Sequence, residues 1–554
     1  MDITARIKGF LKGELDDSAE ALSKYSHDAS LFEVKPQLVV FPKDVEDIKN
    51  LVKFAGRVHG DDGRISLTPR SAGSDMSGGP LTSSIVVELT RHLNRLKEIG
   101  PDYAVVEPGL FYRDFEKETL ARGLLLPTYP ASRELCAVGG MIANNSGGEK
   151  TLAYGKTEDY VQDLKMVLYD GNEYSFRKLS LKELEEKKQK HTLEGEIYRK
   201  MHELIENNYE LLRGAKPKVT KNSAGYYLWN VLNKEEKTFD LTRIITGSQG
   251  TLGIITEAKL RLIKPKPHTR LLVIFLNDIK PIADVASHVL KHKPESFESY
   301  DDNTFKLAVK LFPDIAKKLK GNIIRLAFSF LPEFWMVLTG GIPKLVLLAE
   351  FTGETADEAQ KKAEEAEADL KKVFRFKTKV TRSNQEAEKY WVIRRESFNL
   401  LRHHVKGLRT APFIDDFVVH PDDLPEFMPK LYKILGRYNI FYTIAGHVGD
   451  ANFHIIPLMD LSKPEAKDII KNMSQEVYKL VFDFGGSTTG EHNDGLIRGP
   501  FLKMMYGEKV YKLFEETKRI FDPQGIFNPG KKVGSSLDYA LAHVDTNMNP
   551  IRDL

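Results

Sequence analysis

The 554-residue sequence is 41% hydrophobic and 29% charged, with 40 Gly and 26 Pro, the composition of an ordinary folded protein of about two to four domains. Lys+Arg 81 against Asp+Glu 78 gives a net charge of +3 with the basic residues scattered, so there is no electrostatic footprint for nucleic acid. A single cysteine, Cys136, excludes an intrachain disulfide scaffold, a cysteine-ligated iron–sulfur cluster and a CxxC redox motif.

The N-terminal MDITARIKGFLKGELDD has no apolar run of signal-peptide length, which makes a cytoplasmic setting the expectation. Residues 1–34 read as a polar helical segment. The run Gln37–Pro42 then predicts a strand, and DVEDIKNLVKFAGRV a helix after it. ISLTPR and SSIVVELT predict strands on either side of the glycine-rich SAGSDMSGGPL. YAVVEPG and DFEKETLARGL continue as strand and helix, and the Lys/Glu-rich residues 180–215 as a solvated helix pair. TRIITGSQGTLGIITEAKLRLIKPKP carries two strand-like runs and ends in a proline-marked basic linker at Pro265–Pro267, where a domain boundary is expected. Beyond it RLLVIFL, PIADVASHVLK, LVLLAEF, ADEAQKKAEEAEADLKK and FYTIAGHVGDANFHIIPLMD alternate strands and covering helices, the order of an antiparallel sheet with helices on one face. The class is therefore α+β.

The most apolar stretch, Ile323–Phe351, is broken by Arg325, Pro332, Glu333, Gly340, Gly341, Pro343 and Lys344, so it cannot supply the ~20 uninterrupted apolar residues of a transmembrane helix. A buried helix followed by a core strand is the plain reading. The other is a membrane-surface patch made by Phe330, Phe334, Trp335 and Met336.

Two segments carry chemistry. In PRSAGSDMSGGPL the glycines Gly73, Gly78 and Gly79 and their small neighbours let backbone N–H groups come close to an anion, although a structural turn explains the same residues. In GHVGDANFH and GGSTTGEHNDG, the residues His447, His454 and Glu491 make a sound ligand set for a divalent cation, with His492 beside them. His–Glu pairs that satisfy each other are the alternative.

VGGMIANNSGG (Val138–Gly148), YGKTEDYV and TGSQGTLGIIT (Thr246–Thr256) follow the first loop in order, and together these segments resemble the FAD domain of the vanillyl-alcohol oxidase/p-cresol methylhydroxylase type. The resemblance implies a two-part FAD-binding domain at 35–266, a substrate cap with an antiparallel sheet and a metal site at 267–510, and a C-terminal segment, 511–554, returning to the flavin through FDPQGIFNPGK. It implies that Arg70, Ser71, Ala72, Gly73, Ser74, Asp75 and Gly78 hold the FAD pyrophosphate, that Pro130, Gly139, Gly140 and Asn144 line the flavin, and that Gly253 and Ile254 contact the adenine-side half. The first loop has no histidine for covalent attachment, so a dissociable FAD is expected.

The cap segments resemble those of FAD-dependent 2-hydroxyacid dehydrogenases (D-lactate, glycolate and 2-hydroxyglutarate). Carried over, His447, His454 and Glu491 bind a divalent metal, with zinc expected, and His492 is the general base that takes the hydroxyl proton while hydride passes to the flavin N5. Arg394 of KYWVIRRESFNLL (Lys389–Leu401) clamps the substrate carboxylate. Where hydroxyglutarate dehydrogenases of this family carry an Asn and a Lys, this sequence has Ile456 and Ile414, which favours a D-lactate-like monocarboxylate. With one cysteine, electrons are expected to leave to a separate quinone, cytochrome or iron–sulfur protein. No nucleic-acid partner is expected; a homodimer and peripheral contact with the inner face of a membrane stay open. An alkyldihydroxyacetonephosphate synthase-like transferase and a non-catalytic electron-transfer subunit are the competing readings.

Overall fold

A computed structural model describes residues 3–62, 65–304, 306, 341–404 and 407–548. The strands Leu38–Phe41, Ile85–Glu88 and Leu67–Arg70 pair in parallel in that order. Their apolar, β-branched runs suit strands covered on both faces. The helix Val45–Asp62 lays Ile48, Leu51, Val52, Ala55 and Val58 on them, the spacing of one helical face.

Residues 3–24 are not simply helical. Two short helices, Ile3–Lys8 and Ala19–Lys24, flank an edge strand, Glu14–Asp16, that pairs antiparallel with Leu38–Phe41. Buried Asp47 explains the difference: its carboxylate accepts the N–H groups of Lys12 and Gly13 at 2.9 Å and of Lys43 at 2.8 Å. A Cβ at Gly13 would meet the Phe41 carbonyl oxygen at 2.0 Å, so only glycine lets the chain lie there.

The second sheet is antiparallel in the order Leu96–Ile99, Tyr103–Val106, Ile254–Arg261, Val161–Val167, Glu173–Arg177. The helices Leu193–Asn207 and Leu502–Phe521 close its core, and the second of these runs through position 510 with Val510, Phe514 and Phe521 inside. TRII, read as a strand, forms a helical turn at Thr242–Ile245, closed by a Thr246 N–H to Thr242 carbonyl bond of 2.8 Å. Local bonding overrides the β preference of its isoleucines in so short a piece.

The third sheet is antiparallel throughout, in the order Lys377–Val380, His268–Leu276, Leu345–Gly353, Ser296–Asp301, Phe441–His447, Asn452–Met459, Arg409–Thr410, with Phe417–Val418 also on Asn452–Met459. The helices Ile282–Lys291, Ala356–Val373, Leu424–Leu435 and Glu465–Asp483 pack on one face. Strand alternation then sorts the side chains. Phe297, Ile444, Phe453 and Ile455 enter the helix-side core, while Glu298, Thr443, Ala445, His454 and Ile456 line a cavity on the other face. No helix among the described residues is long and apolar enough to cross a membrane. Residues 323–340, with Phe330, Phe334, Trp335 and Met336, lie outside the described residues.

Candidate active site

A cavity of about 1760 Å³ runs from the glycine-rich loop after Leu67–Arg70 to the inner face of the cap sheet. That exceeds the ~300–1,000 Å³ of a site for one drug-sized ligand and suits a dinucleotide with a small substrate. At the loop end, Arg70, Ser71, Ala72, Gly73, Ser74, Asp75, Pro130, Gly140 and Asn144 all line it. Gly73 has φ +71°, a conformation that favours glycine. A Cβ on Gly140 would meet nothing nearer than the Ser71 Cβ at 3.7 Å. The Asp75 carboxylate ties the loop together, accepting from Gly79 N–H at 2.6 Å, Ser77 Oγ at 2.8 Å and Asn144 Nδ2 at 3.2 Å.

Other expected cofactor residues are turned to their own protein. Arg70 borders the cavity, but its guanidinium is turned to the Tyr25 and His27 carbonyls at 3.2 and 2.7 Å and braces the loop from behind. The Gly78 N–H is taken by buried Asp28 at 3.0 Å. Gly139 faces Pro108, whose Cβ would be 2.5 Å from an added Cβ, so its smallness serves packing. Gly253 and Ile254 are away from the cavity: Gly253 packs on Met166 and Val167, and Ile254 begins a buried strand. Within TGSQGTLGIIT it is Gln249 that reaches the cavity, and it accepts the Gly495 N–H at 2.9 Å.

At the cap end the three histidines converge. His447 ends one strand and His454 sits on the next, with Ala445 opposite His454 in the register. His447 Nε2 lies 3.0 Å and His454 Nε2 3.4 Å from the same oxygen, Glu491 Oε1, and His492 Nε2 lies 3.8 Å from it. The rings of His454 and His492 stack at 4.9 Å. Each Nδ1 is held by a buried carboxylate: His447 by Glu298 at 2.6 Å, His454 by Asp415 Oδ1 at 3.0 Å and His492 by Asp415 Oδ2 at 2.6 Å. Asp416, with φ +73°, turns its Oδ2 to the backbone N–H groups of Glu491 at 3.0 Å and His492 at 2.7 Å, and so fixes the GEH turn. An added Cβ at Gly147 would come within 3.3 Å of Glu491 Oε2, which brings the NNSGG segment against the histidine centre.

Burial opposes charge on His454, yet Asp415 and Glu491 outweigh it and push its pKa up to about 10. Burial likewise opposes charge on His492, and Asp416 and Asp415 raise it nonetheless. Glu491 is held well below the usual carboxylate range against its burial, first by Lys221 and then by His447. A pocket that draws a proton onto an enclosed imidazole has negative potential to spare, which a cation at the Nε2 atoms would satisfy. With each Nδ1 engaged, the donor set of His447, His454 and Glu491 fits a divalent metal.

Arg394, on the helix Asn384–His404, lines the cavity beside this centre with its Nη2 3.2 Å from Glu298 Oε2. Next to it Arg395 pairs across the cavity with Glu149 at 2.6 Å. Ile456 lines the cavity, whereas Ile414 is wholly buried in the helix-side core. Sequence reasoning did not single out Glu298, Asp415, Asp416, Lys221 or Gln249. The doubled aspartate of FIDDF was the one visible signal. Glu298, in SFESYD, had none, because only the sheet register brings it to His447.

Fold and site together are those of an FAD-binding domain joined to a cap. The chain belongs to the FAD-linked oxidases: residues 36–177 match the FAD binding domain and residues 265–532 the C-terminal domain of FAD linked oxidases. It is 28% identical over 534 residues to D-2-hydroxyglutarate dehydrogenase of Pseudomonas putida, an alignment covering 95% of this chain and 51% of that protein, so it spans about half the length of that relative. It is 27% identical over 527 residues to the glycolate oxidase subunit GlcD of Bacillus subtilis, covering 93% of each. With D-lactate dehydrogenase of Anaerostipes hadrus it shares 25% over 522 residues, 92% of each. Among solved structures, 4-ethylphenol oxidase from Gulosibacter chungangensis superposes with TM-score 0.67 at 16% identity over 96% of both chains. p-Cresol methylhydroxylase superposes with TM-score 0.66 at 15% identity over 97% of this chain and 96% of the other, the fold expected from the sequence.

Proposed function

We propose that this chain oxidises a D-2-hydroxy acid, D-lactate-like, to the 2-oxo acid with FAD and a divalent metal, zinc for preference, and passes the electrons to a separate quinone, cytochrome or iron–sulfur protein. The observation that carries the reading is the meeting of His447 Nε2 and His454 Nε2 at Glu491 Oε1, with His492 alongside, at the end of the cavity lined by the glycine-rich loop. Bound there, the metal would acidify the substrate hydroxyl and the flavin would accept the hydride.

The chain's own residues do the rest. His447, His454 and Glu491 hold the cation. His492 takes the hydroxyl proton at Nε2, since Asp415 fixes its Nδ1. Arg394 receives the substrate carboxylate in a fork suited to it. Thr443, Ala445 and Ile456, on the cavity side of the strands that carry His447 and His454, are neutral, which supports a monocarboxylate over a diacid. The test is anaerobic titration of the yellow protein with D- and L-2-hydroxy acids before and after a chelator. Bleaching by D-lactate that the chelator prevents is the expected result; bleaching unaffected by metal removal would refute the metal's part, and no bleaching by any acid would refute the activity.

A further inference from the structure

Glu298 lies in the middle of the cap sheet on the strand Ser296–Asp301, whose every residue is buried. The register with Phe441–His447, in which Ser299 faces Gly446, brings it alongside His447. Its two oxygens go to different masters: Oε1 is 2.6 Å from His447 Nδ1 and Oε2 is 3.2 Å from Arg394 Nη2. A carboxylate 2% exposed has to be partnered on both oxygens, and here one partner belongs to the proposed cation site and the other to the proposed substrate clamp.

We propose that Glu298 is a positioning residue that couples cation binding to substrate binding, by holding His447 and Arg394 at once. The inference rests on the metal-dependent reading above and extends it. By accepting the Nδ1 proton of His447, Glu298 leaves the Nε2 lone pair for the cation. By holding Nη2 of Arg394, it sets the plane in which the guanidinium meets an incoming carboxylate. When a substrate carboxylate draws on the Arg394 charge, Glu298 becomes a stronger acceptor toward His447, and the imidazole a better ligand. Linkage makes the effect reciprocal: a bound cation tightens the substrate by the same factor.

The test uses purified, FAD-loaded protein, with zinc affinity measured without turnover by competition against a chromogenic chelator and D-lactate kinetics measured at saturating zinc. For Glu298→Gln, zinc binding about 10–100-fold weaker is expected, together with a several-fold rise in KM for D-lactate that is larger than the fall in kcat. For Arg394→Gln, zinc affinity is expected to change threefold or more, although Arg394 is not one of the proposed ligands. A Glu298→Gln protein whose zinc affinity falls while KM stays put, or an Arg394→Gln protein that binds zinc as the parent does, would overturn the coupling and leave Glu298 as an orienter of one histidine. If Glu298→Gln loses its FAD and its fold, the Arg394→Gln measurement decides alone. A parent protein that binds no zinc at all overturns the metal reading itself, a result distinct from either.

Discussion

The two ends of the cavity are built on different principles. The loop end is shaped by backbone: Gly73 at positive φ, Gly140 bare toward the cavity, and side chains such as Arg70 and Asp75 spent on bracing the loop. The cap end is shaped by side chains, with His447, His454 and His492 each locked by Glu298 or Asp415 and gathered around Glu491. The difference teaches where the chain can tolerate change. A backbone cradle spreads its work over many peptide groups, whereas a carboxylate–imidazole cluster concentrates it in a few atoms.

The largest effect should come from His492→Ala. Flavin reduction by the hydroxy acid is expected to fall about 10²–10⁴-fold, the span of a lost general base, with FAD and metal contents unchanged. Stopped-flow reduction at the parent rate would break the assignment. Asp415→Asn comes next, since one carboxylate serves two imidazoles; about 10–100-fold weaker metal retention on dialysis is expected, read by elemental analysis.

Arg395→Gln probes the seam between the ends. Removing it should cost about 1–3 kcal/mol at neutral pH, for a pair that is part-buried. Glu149 is pulled from 4.5 to about 2 against its burial, chiefly by Arg395, so the pair's stabilisation is complete above about 4.5 and disappears as pH falls through about 2. The gap in melting temperature between parent and variant should thus be level from neutral pH down to about pH 5 and narrow below that; a gap that widens on acidification would contradict the linkage.

Gly73→Ala should weaken FAD binding about tenfold, because αL costs a non-glycine residue roughly 1–2 kcal/mol and its Cβ would stand 2.3 Å from Arg70 Nη2. Flavin fluorescence at equilibrium reads this directly. Ser71→Ala should be the smallest change, within about 0.5 kcal/mol, as its hydroxyl makes a 3.3 Å bond to the Pro108 carbonyl. If Ser71→Ala outweighed Gly73→Ala, the backbone account of this end would fail.

Much of this contrast was legible in the sequence. Alternation and helical spacing located the cap sheet and its covering helices, and GHVGDANFH and GEH announced the histidine centre. What stayed hidden has a common cause: Glu298 and Lys221 act through distances created by sheet register and loop packing, and no spacing records them. Gly139 and Gly253 misled for the opposite reason, since glycine marks close approach without saying to what. Each turned out to face its own protein, Pro108 in one case and Met166 in the other.

Lys150 has a larger consequence for how the molecule works. Following the NNSGG segment, its ammonium reaches Glu295 at 2.5 Å and also Glu350, both in the cap sheet region, in a part-buried cluster. A hinge that swung the cap away would strip a cation from two carboxylates in a water-poor setting, so this cluster ties the cap to the segment beneath it.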